Sequence, residues 1–501
     1  MAKTMRPIYV RQAVASEETV RHQFSNLLHD ALDNEGYSSV GVRTRLTTIY
    51  RFGKKTADYN REIIMAGSVG EGISKLFAGD HDLIMAPNRI VCVDEMCKQE
   101  GLLVFENDFS ATAPGYVRLL VESDFNNFDF DGVEFQRTTR FGKNYLCNQM
   151  IRLSTEGVEK EQNGPARTSE LDMKDFDRRW RFPQWGLDGG VIFDDSLLSR
   201  LSTDDVIGLP FYSSNILDKW LKRERVHEWP PETLQKKIST MMGYLVPVGH
   251  KYSLNKDIEW RISYTTAEIK LVRSMDNVQV KLYVAMKFVH KDRLKPVCKN
   301  FSSYMVKNLA FWVLEKTPIA EFLSHKLADK IMDAFIQLRG YLKDRFLPCY
   351  MIPERNLFDG RMDGEECELL LKEVDGIIDE GYAFLLQNHK LSLFMLKTHN
   401  HREFATNFVQ KAAEIEGLFL NLMIEFVNGV QMTMEELFSK NEGLVADMAS
   451  RILLLVLSDK ISSPFNVREK TLVKVLVKHW HIFLGRLWTI LSHDVPPWTK
   501  K

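Results

Sequence analysis

The run Asp80-His81-Asp82 leads straight into the apolar residues Leu83, Ile84 and Met85. On a strand, residues two apart project from one face, so Asp80 and Asp82 would share a face and His81 would take the other. Two carboxylates side by side are hard oxygen donors of the kind that hold Mg2+ or Mn2+. A short way upstream stands Gly67-Ser68. Glycine lets the backbone come close to a phosphate, and a serine hydroxyl with free N–H groups can grip it. A phosphate holder beside a metal holder suits transfer of a nucleotidyl group from a nucleoside triphosphate. In that reaction one divalent cation activates the attacking hydroxyl and a second offsets the charge of the leaving pyrophosphate. Taken singly, a Gly-Ser pair is more often a plain turn and an Asp-x-Asp a solvated loop. The functional reading rests on their order, on the helix-length spacer between them and on the apolar strand that follows.

The elements that must position these residues can be read from periodicity. From Glu17 to about Ile64 apolar positions recur at helical spacing, which predicts two long helices broken near Asn34-Glu35-Gly36. From Met65 to Glu122 short apolar runs bounded by Gly, Pro and Asn predict the strands of a mixed sheet. Residues 155–203 are polar and carry Gly189-Gly190, so a long loop or insertion is expected there. After Trp229-Pro230-Pro231 the pattern turns mostly helical, with loops at 246–258, 292–300 and 352–364. The expected class is α+β. The expected divisions are 1–64, 65–245, 246–400 and 401–501, the last a helical addition built on stretches such as TLVKVLVKHWHIFLGRLWTIL.

A chain of 501 residues with 45% hydrophobic content can bury a substantial core. Lys and Arg number 66 against 67 Asp and Glu, so the chain is no polycation and any basic surface must be local. One such cluster is Arg43, Arg45, Arg51, Lys54, Lys55 and Arg61 on the second predicted helix, diluted by Asp58 and Glu62. Phosphate contact with a nucleic acid and a merely solvated helix face compete as readings of it. The first residues lack an apolar signal segment and nowhere do about 18 uncharged apolar residues run together, so a cytoplasmic, membrane-free protein is expected. Six scattered cysteines give no zinc-ligand spacing and are expected as free thiols.

The segment AGSVGEGISKLFAGDHDLIM resembles the Gly-Ser, helix, carboxylate-x-carboxylate entry of cyclic GMP-AMP synthase and the wider Mab-21-type nucleotidyltransferase family. NGPARTSE, LVPVGHKYS, EWRISYTTAEIKLV, VKLYVAMKFV, FSSYMVKNLAFWVLEKTP and MIPERNLFDG resemble later blocks of that family in the same order. The resemblance covers roughly residues 15 to 395 and implies a bilobal fold: a mixed twisted sheet with N-terminal spine helices, and a helical lobe closing over it. It implies that Gly67 and Ser68 hold phosphate and that Asp80 and Asp82 are the first two metal ligands. It implies nucleotide contacts for Arg261, Ser263, Lys287 and Ser303, and base stacking for Tyr304. The third metal ligand falls in TDDVIGLPFYSS, at Asp204, or at Asp205 if the register slips by one; Asp194 and Asp195 also stand open. Without the resemblance, Arg261 reads as a partner of Glu268, Lys287 as an exposed helix residue and Tyr304 as core.

Between Lys270 and Met286, where cyclic GMP-AMP synthase carries its zinc thumb, there is neither Cys nor His. No structural zinc is therefore expected. The resemblance to receptors without the thumb makes double-stranded RNA the expected activator, ahead of DNA, with ligand-induced dimerisation as a further expectation. The implied activity is Mg2+-dependent joining of two nucleoside triphosphates, ATP, GTP or others, into a cyclic dinucleotide used as a second messenger in innate immunity. The rivals are a non-catalytic Mab-21-like scaffold and an enzyme that makes linear oligonucleotides.

Overall fold

The computed structural model describes residues 16–56, 61–74, 81–96, 100–122, 128–130, 133–149, 151–152, 161–163, 166–170 and 202–400. The first helix, α1 (Glu17–Leu32), starts where the Ser16 hydroxyl accepts from the Thr19 amide, and buries Leu28, Ala31 and Leu32. A wide turn over Asp33–Tyr37 breaks it at Gly36, whose φ is 88°. The next helix, α2 (Ser39–Thr56), stops short of the Ile64 expected from periodicity. Arg61–Met65 is instead a strand, β1. Ile63 and Ile64 fit either period, and pairing with the following strand decides between them: Ile64 lies opposite Ile84.

Among the described residues, one sheet has five strands in the order β1, β2 (His81–Pro87), β13 (Ser202–Ile207), β12 (Ala166–Glu170) and β11 (Glu161–Asn163). The strands β11 and β12 lie within the stretch 155–203, where a long loop or insertion is expected. ARTSE has no apolar alternation, so nothing marks it as a strand except the ladders offered by β13 and β11.

A second sheet runs β16 (Glu259–Ser263), β15 (Gly243–Val246), β14 (Leu209–Phe211), β3 (Ile90–Val93), β4 (Leu103–Asp108), β5 (Tyr116–Leu120), β9 (Lys143–Leu146) and β8 (Arg137–Arg140). Because β16 also pairs with β5, the strands from β16 to β5 close on themselves. A small third sheet holds β10 (Ile151–Arg152), β7 (Val133–Phe135) and β6 (Phe128–Phe130). The two large sheets join at Gly208, between β13 and β14, where a Cβ would lie 2.6 Å from Ile84 Cγ2.

The WRIS stretch, expected in a helical lobe, is strand β16 of the second sheet. Trp260 and Ile262 alternate inward, leaving Arg261 and Ser263 on the opposite face. Upstream, α3 is the single turn Gly67–Gly70; after β16 the longer helices are α4 (Thr265–Arg273), α5 (Asn277–Val289), α6 (Ser303–Lys316), α7 (Leu327–Lys343), α8 (Gly364–Asp379) and α9 (His389–Asn400). Capping boxes at Asp276 and Asp363 start α5 and α8. One apolar core joins Leu28 of α1, Phe105 of β4, Leu282 of α5 and Phe335 of α7. The class is α+β. No helix among the described residues is long and apolar enough to cross a membrane. The addition expected over 401–501 lies outside the described residues, as do Asp194 and Asp195.

Candidate active site

Strands β2 and β13 are parallel, and their register sets Asp204 opposite Asp82 and Asp205 opposite Leu83. Partners in register on neighbouring strands, about 4.8 Å apart, project from the same face. The two faces are told apart by packing. Ile84, Ala86 and Val206 meet in one small apolar cluster, whereas Met85 and Ile207 join the main core. Alternation therefore sets Asp82 and Asp204 on one face and Asp205 on the other. Asp80 lies outside the described residues, as does the side chain of His81.

The Gly67 turn is fitted to this pair. The Ala66 amide donates to the Asp82 carbonyl at 2.7 Å, which fixes the end of β1 against the start of β2. Gly67 has φ +59°, and a Cβ there would lie 1.9 Å from Asp82 Oδ2. Only a residue without a side chain lets the carboxylate lie against the turn. The Ser68 carbonyl accepts from the Ile73 and Ser74 amides, and its hydroxyl receives the Lys287 ammonium from α5. Lys287 is half-buried, with its Nζ 5.6 Å from the Tyr283 ring centre. Burial lowers its pKa and neighbouring Lys307 adds to this, while Glu71 and Asp82 push back.

Behind the turn lies a buried chain of charges that sequence reasoning did not single out as such. Glu71 is 2% exposed and accepts from Lys307 Nζ at 3.0 Å and from the Tyr283 hydroxyl at 3.2 Å. Lys307 also pairs with Glu268 at 2.7 Å, and Glu268 accepts from the Tyr304 hydroxyl at 2.8 Å. Burial alone would lower the Lys307 pKa, but Glu268 and Glu71 outweigh it and hold it above the ordinary value. The signal in sequence was faint: an acid four residues after Gly67 and a lysine in an otherwise apolar helix.

The other expected contacts divide. Tyr304 is half-buried, with Lys307 Nζ 5.1 Å from its ring centre, and Ser303 is exposed at the start of α6. Ser263 Oγ shares a hydrogen bond with Thr265 Oγ1 at 2.7 Å. Arg261 does not pair with Glu268; burial, then repulsion from Arg355 and Arg361, pushes its pKa down to about 10. On α2, Arg43 is exposed, whereas the side chains of Arg51, Lys54 and Lys55 lie outside the described residues. Arg45 departs from the expected basic face. It is 1% exposed, donates to the Gly72 carbonyl at 2.9 Å and to the Gly36 carbonyl, and so ties the helix break to the end of the α3 turn. Arg61 lies on β1, off the helix.

Among the described residues, two carboxylate groupings can be read as metal sites. At His29, Asp30 and Asp33 the Lys281 ammonium already sits 2.7 Å from Asp33 Oδ1 and 2.9 Å from His29 Nε2, so a cation fills that cluster. The Asp82 and Asp204 pair, beside a glycine turn that keeps space for an oxygen, is the donor set that fits a hard divalent ion.

Residues 269–376, from within α4 to within α8, match the family model of the Mab-21 protein HhH/H2TH-like domain. A cyclic GMP-AMP synthase-like receptor of Nicrophorus vespilloides is 32% identical over 115 residues, a match that spans 22% of this chain and 30% of that relative. Residues 269–376 are thus similar to the Mab-21 HhH/H2TH-like domain, and the chain spans about 30% of the length of the cyclic GMP-AMP synthase-like receptor it matches.

Proposed function

We propose that this chain is a bilobal nucleotidyltransferase that binds double-stranded nucleic acid, RNA before DNA, and joins two nucleoside triphosphates into a cyclic dinucleotide for innate immune signalling in the cytoplasm. The observation that carries the reading is Asp82 and Asp204 in register on parallel strands, beside the Gly67-Ser68 turn that receives Lys287. Asp82 and Asp204, with Asp80 as the third carboxylate, would hold Mg2+ or Mn2+. When bound, the ions acidify the attacking hydroxyl and offset the charge of the leaving pyrophosphate.

The chain's own groups do the rest. Ser68 and the amides of its turn grip the terminal phosphates. The Lys287 ammonium would leave the Ser68 hydroxyl for the triphosphate, whose charge offsets the burial that lowers its pKa. Tyr304 offers a ring face to a base, with Ser303, Ser263 and Arg261 as further contacts. The Glu71, Lys307 and Glu268 chain braces the turn against α4 and α6. Arg43, Arg51, Lys54 and Lys55 are the residues proposed to meet the phosphates of a duplex, and duplex-induced dimerisation is part of the reading. No zinc enters it.

The test is incubation of the purified chain with labelled ATP, GTP, CTP and UTP and Mg2+ or Mn2+, with and without double-stranded RNA or DNA. A duplex-dependent product resistant to phosphatase and cyclic by mass supports the proposal. A linear product would place the chain among oligonucleotide synthases, and no product from folded protein would leave a non-catalytic scaffold.

A further inference from the structure

The hairpin of β8 and β9 turns through two residues, Phe141 and Gly142, with Arg140 in register with Lys143. Both turn residues have positive φ, 56° and 72°, as a two-residue turn that matches the twist of its strands requires. Asparagine followed by glycine is the ordinary choice for such a turn, and a phenylalanine there carries backbone strain. The ring gains little packing in exchange: the Arg118 guanidinium lies 5.5 Å from its centre, yet Phe141 is still 67% exposed. A strained backbone that holds a large apolar side chain out in water points to a partner outside the chain.

A second exposed tip lies beside the first. Arg118 is in register with Glu259 at the start of β16, and the loop before Glu259 carries Tyr252 and Leu254, 65% and 95% exposed. The Glu259 carboxylate anchors that loop, accepting from the Ser253 hydroxyl at 2.6 Å and the His250 amide at 3.0 Å. Asp257 fastens the loop to the hairpin. Its carboxylate pairs with Arg140 at 2.8 Å, and its carbonyl accepts from the Asn148 amide at 2.8 Å. The charge of the two tips is one-sided. Residues 137–143 include Arg137, Arg140 and Lys143 and no acid, and Lys256 adds a further exposed cation. Asp257 is engaged by Arg140, and among the described residues neither Lys143 nor Lys256 has a carboxylate within 4.0 Å. Apolar tips beside cations match a bilayer surface, whose anionic headgroups attract Lys and Arg while its interface takes up aromatic and aliphatic side chains. A duplex would meet the cations with its phosphates but offer Leu254 nothing. Protein interfaces are depleted in lysine, which disfavours a protein partner.

We propose that these two tips form a peripheral membrane contact. Phe141, Tyr252 and Leu254 enter the interface of a bilayer that bears anionic headgroups, and Arg137, Lys143 and Lys256 meet those headgroups. Such a contact needs no crossing helix and is compatible with a cytoplasmic protein, but it replaces the expectation of a membrane-free one. It uses none of the candidate active-site residues and does not depend on catalysis.

Sedimentation of the full chain with vesicles tests it, using phosphatidylcholine alone and phosphatidylcholine with about one third phosphatidylserine. The chain should pellet with the anionic vesicles, less so at high salt, and stay in solution with the neutral ones. Phe141→Asn combined with Leu254→Ser should weaken this binding at least about tenfold. Asparagine accepts the left-handed backbone, so this variant should fold as well as the wild type. Lys143→Glu combined with Lys256→Glu should weaken vesicle binding as much, while neither variant changes double-stranded RNA binding more than about twofold. Failure to pellet with anionic vesicles, equal pelleting with both kinds, or unchanged pelleting in either variant would overturn the proposal. Loss of RNA binding in place of vesicle binding in the lysine variant would assign the patch to nucleic acid and overturn it as well.

Discussion

Asp204 lies opposite Asp82 on adjacent parallel strands, joining positions more than a hundred residues apart. Neither strand could set this alone. β2 carries its aspartate at the edge of an apolar run, and β13 reaches it only through the crossover that makes the pair parallel. A cation would relieve the mutual repulsion of two carboxylates that share a face, and the Gly67 turn, having no Cβ, lets the Asp82 carboxylate lie against it.

Gly67→Ala is the most local probe of that fit. The position has φ +59°, and the added Cβ would meet Asp82 Oδ2 at 1.9 Å. The left-handed backbone alone costs on the order of 1 kcal/mol for alanine, and the clash forces the carboxylate to move. Thermal melting should show a loss of about 1–3 kcal/mol, with nucleotide transfer falling further than stability explains.

Lys287→Gln should separate stability from substrate binding. The folded protein holds Lys287 below its ordinary 10.5, so between the lowered value and 10.5 it binds fewer protons than the unfolded chain. Stability from this group therefore rises with pH in that window, and below it the buried charge is a net cost. The variant is expected to melt at or above the wild-type temperature at neutral pH. The KM for nucleoside triphosphate should rise by roughly 10- to 100-fold. In the wild type the KM should rise as pH climbs through the same window, since triphosphate binding requires the protonated lysine.

Lys307→Met should do the reverse. It strands Glu71 and Glu268, 2% and 3% exposed, without their shared cation. Breaking a buried pair by removing one partner costs about 3–5 kcal/mol. Urea denaturation should show that loss, and adding Glu71→Gln should recover part of it.

Much of this architecture was legible in the sequence, and the exceptions have physical reasons. The periodicity of α1 and its break at Gly36 were readable because local patterning and a left-handed glycine decide them. REIIM and EWRIS were not, because a short apolar run fits a helix or a strand until a partner strand appears. ARTSE owes its strand to its partner strands β13 and β11. Gly67, Ser68 and Asp82 were legible as a local motif, whereas the choice of Asp204 over Asp205 depends on a long-range register. Arg45, expected on a basic helix face, turned inward because Gly36 and Gly72 present bare carbonyls to it. Arg355 and Arg361 carried no signal, since only folding gathers them with Arg261.

The register of β2 and β13 makes the sharpest claim, and one measurement addresses it: duplex-stimulated product formation from labelled nucleoside triphosphates with Mg2+, compared between Asp204→Asn and Asp205→Asn. Asp204→Asn should lower the rate by about 10³-fold or more while leaving the fold intact, as should Asp82→Asn, and Asp205→Asn should keep most of it. Full activity in Asp204→Asn, or its loss in a folded Asp205→Asn instead, would contradict a carboxylate centre built from Asp82 and Asp204.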